Sequence, residues 1–170
     1  PQVKSVPRVG IYSSPFLPKT ETTQGNIAIL FYRAHYLAGN TAPIDLLCEK
    51  VAQKNLSPLP IFVSALSQEE IQAEVLEYCQ NVELILNTTS FSLAKFGDEQ
   101  QSSFWQQLDV PVLQVILSGG TKQQWEDGMQ GLSPRDVAMN IALPEVDSFF
   151  HNLNQQQTVN YDDNFRFLLR

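Results

Sequence analysis

The sequence predicts an α/β fold, a doubly wound and mostly parallel sheet of four to five strands with helices on both faces. Three observations carry this expectation. Four short, mostly apolar runs, at 27–31, 59–63, 82–86 and 110–117, read as buried strands, and the first is continuous rather than alternating, the pattern of a strand covered on both sides. Between them lie segments whose apolar residues recur at three- and four-residue spacing, the signature of helices with one buried stripe. Each junction carries Pro, Gly, Ser, Thr or Asn, residues that end strands and start helices. Right-handed crossovers between such units leave few arrangements, and the order 2-1-3-4, counting the four runs in sequence order, is the preferred flavodoxin-like or Rossmann-like one.

The organising unit is 27–52, IAILFYRAHYLAGNTAPIDLLCEKVA. Ile27 to Phe31 reads as a central strand, and Tyr32, Arg33 and His35 as a polar loop running past Gly39 and Asn40. Thr41 then stands where a helix cap belongs, Pro43 suits a first turn, and Asp45 favours the positive end of the helix dipole. Ile44, Leu47, Cys48 and Val51 lay one apolar stripe along that helix.

Residues 1–26, with Pro1, Pro7, Pro15 and Pro18, read as a lead-in or linker in which only Val9 to Tyr12 suggest a short extended segment. Residues 27–147 form the α/β domain, and 148–170, without clear period, form an arm or the start of a further segment. Within the domain, Ser67 and Glu70 have the spacing of a capping box ahead of Ile71, Val75, Leu76 and Cys79. The third strand ends in Asn87, Thr88, Thr89 and Ser90, which can bind a polar ligand or satisfy their own turn. A short helix is expected over 104–108, and the fourth strand ends in Ser118, Gly119 and Gly120. Ser133, Pro134 and Asp136 over-determine a helix start, which Pro144 closes.

A chain of 170 residues buries about 70% of its extended surface, enough for a substantial core. Its net charge of −7 and the lack of clustered Lys and Arg argue against nucleic acid as a partner. No apolar run approaches the roughly 20 residues of a membrane-spanning helix. Cys48 and Cys79 each fall on a helix stripe, as reduced core thiols do, which points to a cytoplasmic setting.

In an open parallel sheet, ligands bind beyond the carboxyl ends of the strands, where helix N-termini point free N–H groups. The residues expected on that edge are Arg33, His35, Asn40, Thr41, Asn87, Thr88, Ser118 and Gly119. A dinucleotide site fails because no glycine-rich turn follows the first strand. A phosphate loop fails on the spacing of Ser118-Gly119-Gly120-Thr121-Lys122, and no nucleophile elbow occurs. A phosphoacceptor receiver would need acidic residues at the ends of its first strands, and none stands there. His35 and His151 have no partner at metal-ligand spacing, so no metal site is expected. Glu145 and Asp147 read as a solvated loop.

Three segments carry a resemblance: ILFYRAHYLAGNTAPIDLL at 29–47, LILNTTSF at 84–91, and 131–147 with Leu132-Ser133-Pro134-Arg135-Asp136 and Ala142-Leu143-Pro144-Glu145-Val146-Asp147. Together they resemble the large subunit of ATP-dependent cobaltochelatase and its relative, the tetrapyrrole-binding subunit of magnesium chelatase. The Asn40-Thr41-Ala42-Pro43 turn and the Ser133-Pro134-Arg135-Asp136 stretch look more like the cobalt branch. The resemblance implies one internal or N-terminal domain of a large subunit that binds a corrinoid or porphyrin ring. It implies two smaller ATPase-related partner subunits, other domains of the same subunit as neighbours, and ATP and a divalent metal for the whole complex. The His-Gly, Glu and Pro-Gly-Lys motif of the family's insertion site is absent, so no catalytic residue is assigned and no cofactor is expected on this piece. The alternatives are a magnesium-branch domain, a scaffold with no ligand of its own, and an unrelated small-molecule binding domain.

Overall fold

The computed structural model describes residues 6–17, 24–89, 102–117 and 133–138. Five strands form one sheet in the order β1-β3-β2-β4-β5: β1 (Val9–Ile11), β2 (Asn26–Tyr32), β3 (Ser57–Val63), β4 (Leu84–Asn87) and β5 (Val112–Gln114). The four parallel strands realise the expected 2-1-3-4 order, with Leu30 opposite both Ile61 and Asn87. The helices are α1 (Arg33–Leu37), α2 (Ala42–Gln53), α3 (Glu69–Tyr78), α4 (Ser102–Leu108) and α5 (Pro134–Val137).

The segment expected to be a lead-in adds an edge to this sheet, because β1 pairs antiparallel with β3 through Val9↔Val63, Gly10↔Phe62 and Ile11↔Ile61. Gly10 fits there because a Cβ would stand 2.6 Å from the Phe62 ring. The polar stretch after β2 is one helical turn, α1, rather than a loop.

The pleat of β2 explains its unbroken apolar run. Ile27, Ile29 and Phe31 pack on one side with Ile44, Leu47, Cys48 and Val51 of α2, while Ala28 and Leu30 pack on the other with Ile71, Val75 and Cys79 and with Phe104 of α4. Each large side chain so buried contributes roughly 1.5–3 kcal/mol. The same division holds on β3, where Ile61 and Val63 face α3 and Phe62 faces α2, and on β4, where Ile85 and Leu86 separate likewise. The second layer of helices is therefore written into alternate residues of single strands.

Two caps differ from expectation. Thr41 holds the cap position of α2 in a nearly helical conformation, φ −101° and ψ −3°, so its hydroxyl does not turn back to an amide and meets Asp45 instead. At α3 the extended Gln68 is the capping residue and makes no side-chain cap, so the Ser67–Glu70 box does not form; Gln72 Nε2 secures the turn on the Leu66 carbonyl at 2.7 Å. Ser133 caps α5 as expected, accepting from the Asp136 amide at 3.1 Å with Pro134 in the first position. The Ser118-Gly119-Gly120 turn, Glu145, Asp147, His151 and the 148–170 arm lie outside the described residues.

Candidate functional site: the carboxyl edge of the sheet

The parallel strands bring Arg33, Thr88 and the residues around them to one edge, Arg33 directly after β2 and Thr88 directly after β4. Three polar clusters form there.

The first closes the end of β4. Asn87 is buried; its Nδ2 donates to Gln114 Oε1 at 3.0 Å, and its Oδ1 accepts from the Thr89 amide at 3.1 Å and the Thr89 hydroxyl at 2.7 Å. Gln114 returns a 2.9 Å bond to the Thr89 carbonyl, and Thr88 donates from both N–H and hydroxyl to the Leu30 carbonyl. Four side chains thus satisfy one another and the backbone between β2, β4 and β5. Of the two uses that their chemistry allowed, the turn that bonds itself is the one this geometry makes.

The second cluster is a clamp. Arg33 Nε donates to the Pro7 carbonyl at 2.7 Å and its Nη2 to the Val6 carbonyl at 2.8 Å. The planar fork suited to a carboxylate is held here by two adjacent backbone oxygens of the segment leading into β1. His35, half-buried, and Asn40, exposed, have no side-chain hydrogen bond within the described residues. Ser118 and Gly119 lie outside those residues.

The third cluster centres on Asp45. Its Oδ1 accepts from the buried Ser14 hydroxyl at 2.7 Å, and its Oδ2 faces the Thr41 hydroxyl at 3.1 Å and the Tyr12 hydroxyl at 3.3 Å, while Tyr12 and Thr41 stand 3.0 Å apart. The bond to Thr41 eases ionisation of Tyr12, but burial and the Asp45 carboxylate outweigh it and raise the phenol above its usual value. Burial pushes the neighbouring Cys48 thiol up to about 11, with Asp45 adding to the shift and Ser14 opposing it. Sequence reasoning set Asp45 at a helix dipole and missed this role. Its partners Tyr12 and Ser14 lie about thirty positions upstream in a proline-rich stretch, and only the Thr41-to-Asp45 spacing of four hinted at a pair.

Beneath these clusters four rings interlock. Tyr36 stacks on Phe62 at 4.4 Å, Tyr12 meets Phe31 and Tyr36 edge-on at 6.0 and 5.9 Å, and Phe31 meets Phe62 edge-on at 6.4 Å. Such pairs contribute about 0.5–1.5 kcal/mol each beyond burial. Among the described residues no group of three His, Cys, Asp or Glu could hold a metal ion, and no helix is long and apolar enough to cross a membrane.

The family model described as CobN/Magnesium Chelatase matches residues 1–158. The chain is 42% identical over 123 residues to the aerobic cobaltochelatase subunit CobN of Pseudomonas aeruginosa and 40% identical over 125 residues to that of Sinorhizobium sp; each match covers 71% of this chain and 10% of the relative. It is 30% identical over 159 residues to a magnesium-chelatase subunit of Cereibacter sphaeroides, covering 83% of this chain and 13% of that protein. The catalytic subunit of cobaltochelatase from Mycobacterium tuberculosis shares the fold at a TM-score of 0.69 and 27% identity, over 83% of this chain and 12% of that one. Spanning about a tenth of the length of the curated relatives it matches, this α/β chain belongs to the CobN/Magnesium Chelatase family.

Proposed function

We propose that this chain is a domain of the large, tetrapyrrole-binding subunit of an ATP-dependent cobaltochelatase, an enzyme that inserts cobalt into a corrin precursor during cobalamin biosynthesis in the cytoplasm. Within that subunit it is a scaffold that sets neighbouring parts of the polypeptide around the ring. The whole complex takes a corrinoid and a cobalt ion as substrates and uses ATP through two smaller ATPase-related subunits.

The cobalt branch is favoured because the identity to the two CobN proteins, 42% and 40%, exceeds the 30% to the magnesium-chelatase relative. The scaffold role rests on one observation: Arg33, Thr41, Asn87 and Thr88, four of the side chains suited to grip a ring's carboxylates and amides, already hold this domain's own chain. A donor spent on a backbone carbonyl must break that bond before it can serve a ligand, at a cost of roughly 0.5–1.5 kcal/mol or more.

The test is made in the complete subunit with Arg33→Ala and Asn87→Ala. Corrinoid affinity is expected to stay within about twofold of the unsubstituted subunit while the unfolding midpoint falls. A tenfold loss of affinity with unchanged stability would make these residues ring contacts and overturn the scaffold reading.

A further inference from the structure

We propose that the concavity formed by Trp105, Gln106, Asp109, Val110 and Pro111 is a docking site for an arginine side chain of a protein partner. It lies away from the polar clusters, where the turn after α4 leads into the amino end of β5. The Pro111 carbonyl accepts from the Ile85 amide at 3.0 Å, so the rim is tied to the sheet.

Three features select the occupant. Trp105 packs on Phe104 at 4.8 Å between ring centres and against the α3 side of the core, so its half-buried indole is held in place while it also lines the concavity. Asp109 is exposed, has no ion pair among the described residues, and stands in the left-handed region at φ 50° one residue past α4. A packed aromatic side chain and an exposed carboxylate lining one concavity attract a cation, and a planar one that can both stack and donate a fork of hydrogen bonds gains most. Gln106, which carries an amide group able to accept hydrogen bonds, also lines the concavity.

The net charge of −7 strengthens the attraction for a basic partner. The concavity is open to solvent, whereas small-molecule sites enclose most of their ligand, so a side chain presented by another polypeptide fits it better than a free metabolite does. None of these features depends on the chelatase reading.

The probe is the peptide acetyl-Ala-Arg-Ala-amide, titrated into the 170-residue chain while the indole N–H resonance of Trp105 is followed by NMR. The signal is assigned with Trp105→Phe. A saturable shift is expected, about fivefold weaker or more when neutral citrulline replaces arginine in the peptide and when Asp109→Asn removes the carboxylate. Asn tolerates the left-handed backbone, so that variant keeps the fold. No saturable shift of Trp105, equal binding of the citrulline peptide, or equal binding of a norleucine peptide would each overturn the proposal, the last by assigning the concavity to apolar contacts.

Discussion

Ser14 Oγ donates a 2.7 Å hydrogen bond to Asp45 Oδ1, joining the segment after β1 to the first turn of α2 across 31 positions of sequence. Ser14 is buried, so the bond replaces water on both partners.

Removing Asp45 takes away the acceptor of the buried Ser14 hydroxyl proton, although the Ser14 oxygen keeps the Phe16 amide, and such a loss costs about 1–3 kcal/mol. Asp45→Ala is therefore expected to lower stability by that amount in urea unfolding, and Asp45→Asn, which keeps an acceptor oxygen, by less. Equal midpoints for Asp45→Ala and the unsubstituted chain would show that the link contributes nothing.

Gly10→Ala tests the close approach of β1 to Phe62. The added methyl carbon would meet the ring tip at 2.6 Å, and that ring is stacked on Tyr36 and wedged against Phe31, so it has little room to yield. Overpacking of this kind costs about 1–3 kcal/mol, and amide exchange should report it first at Ser64, whose N–H bonds the Arg8 carbonyl. Unchanged protection at Ser64 would mean that β1 adjusts freely.

The two thiols give a pH dependence. Burial pushes Cys48 and Cys79 each up to about 11, from 9.0 for an unperturbed thiol. The unfolded chain loses these protons first as pH rises, so the thiols' contribution to stability is complete below about pH 9 and is lost between pH 9 and pH 11. At about pH 8 neither thiol should react with a disulfide reagent until the chain unfolds. Rapid labelling of the folded chain would contradict this burial.

The strands and the parallel order were legible because β2, β3 and β4 are covered on both faces, and that demand leaves a run of large apolar residues that little else produces. The long-range bonds were less so. Arg33 was readable as a residue of the carboxyl edge, but its use depends on Val6 and Pro7, brought beside it only when β1 lies along β3. Thr41 marked the start of α2, yet the near-helical backbone at that residue sent its hydroxyl to Asp45. Ser67 and Glu70 had the right spacing for a cap, but α3 starts at Glu69, and a box shifted from the actual first turn cannot form. Asn87, Thr88 and Thr89 were correctly placed at the edge of the sheet, while Gln114, which completes their network, sits on a strand that reads as plain β-sheet until it is paired with β4.

The scaffold role is tested most directly by spectral titration of a corrinoid against this 170-residue chain and, in parallel, against a complete cobaltochelatase large subunit that contains it. A saturable change in the corrinoid spectrum is expected with the complete subunit and none with this chain alone. A one-to-one change of comparable affinity with this chain alone would place a ring site on this domain and contradict the scaffold role.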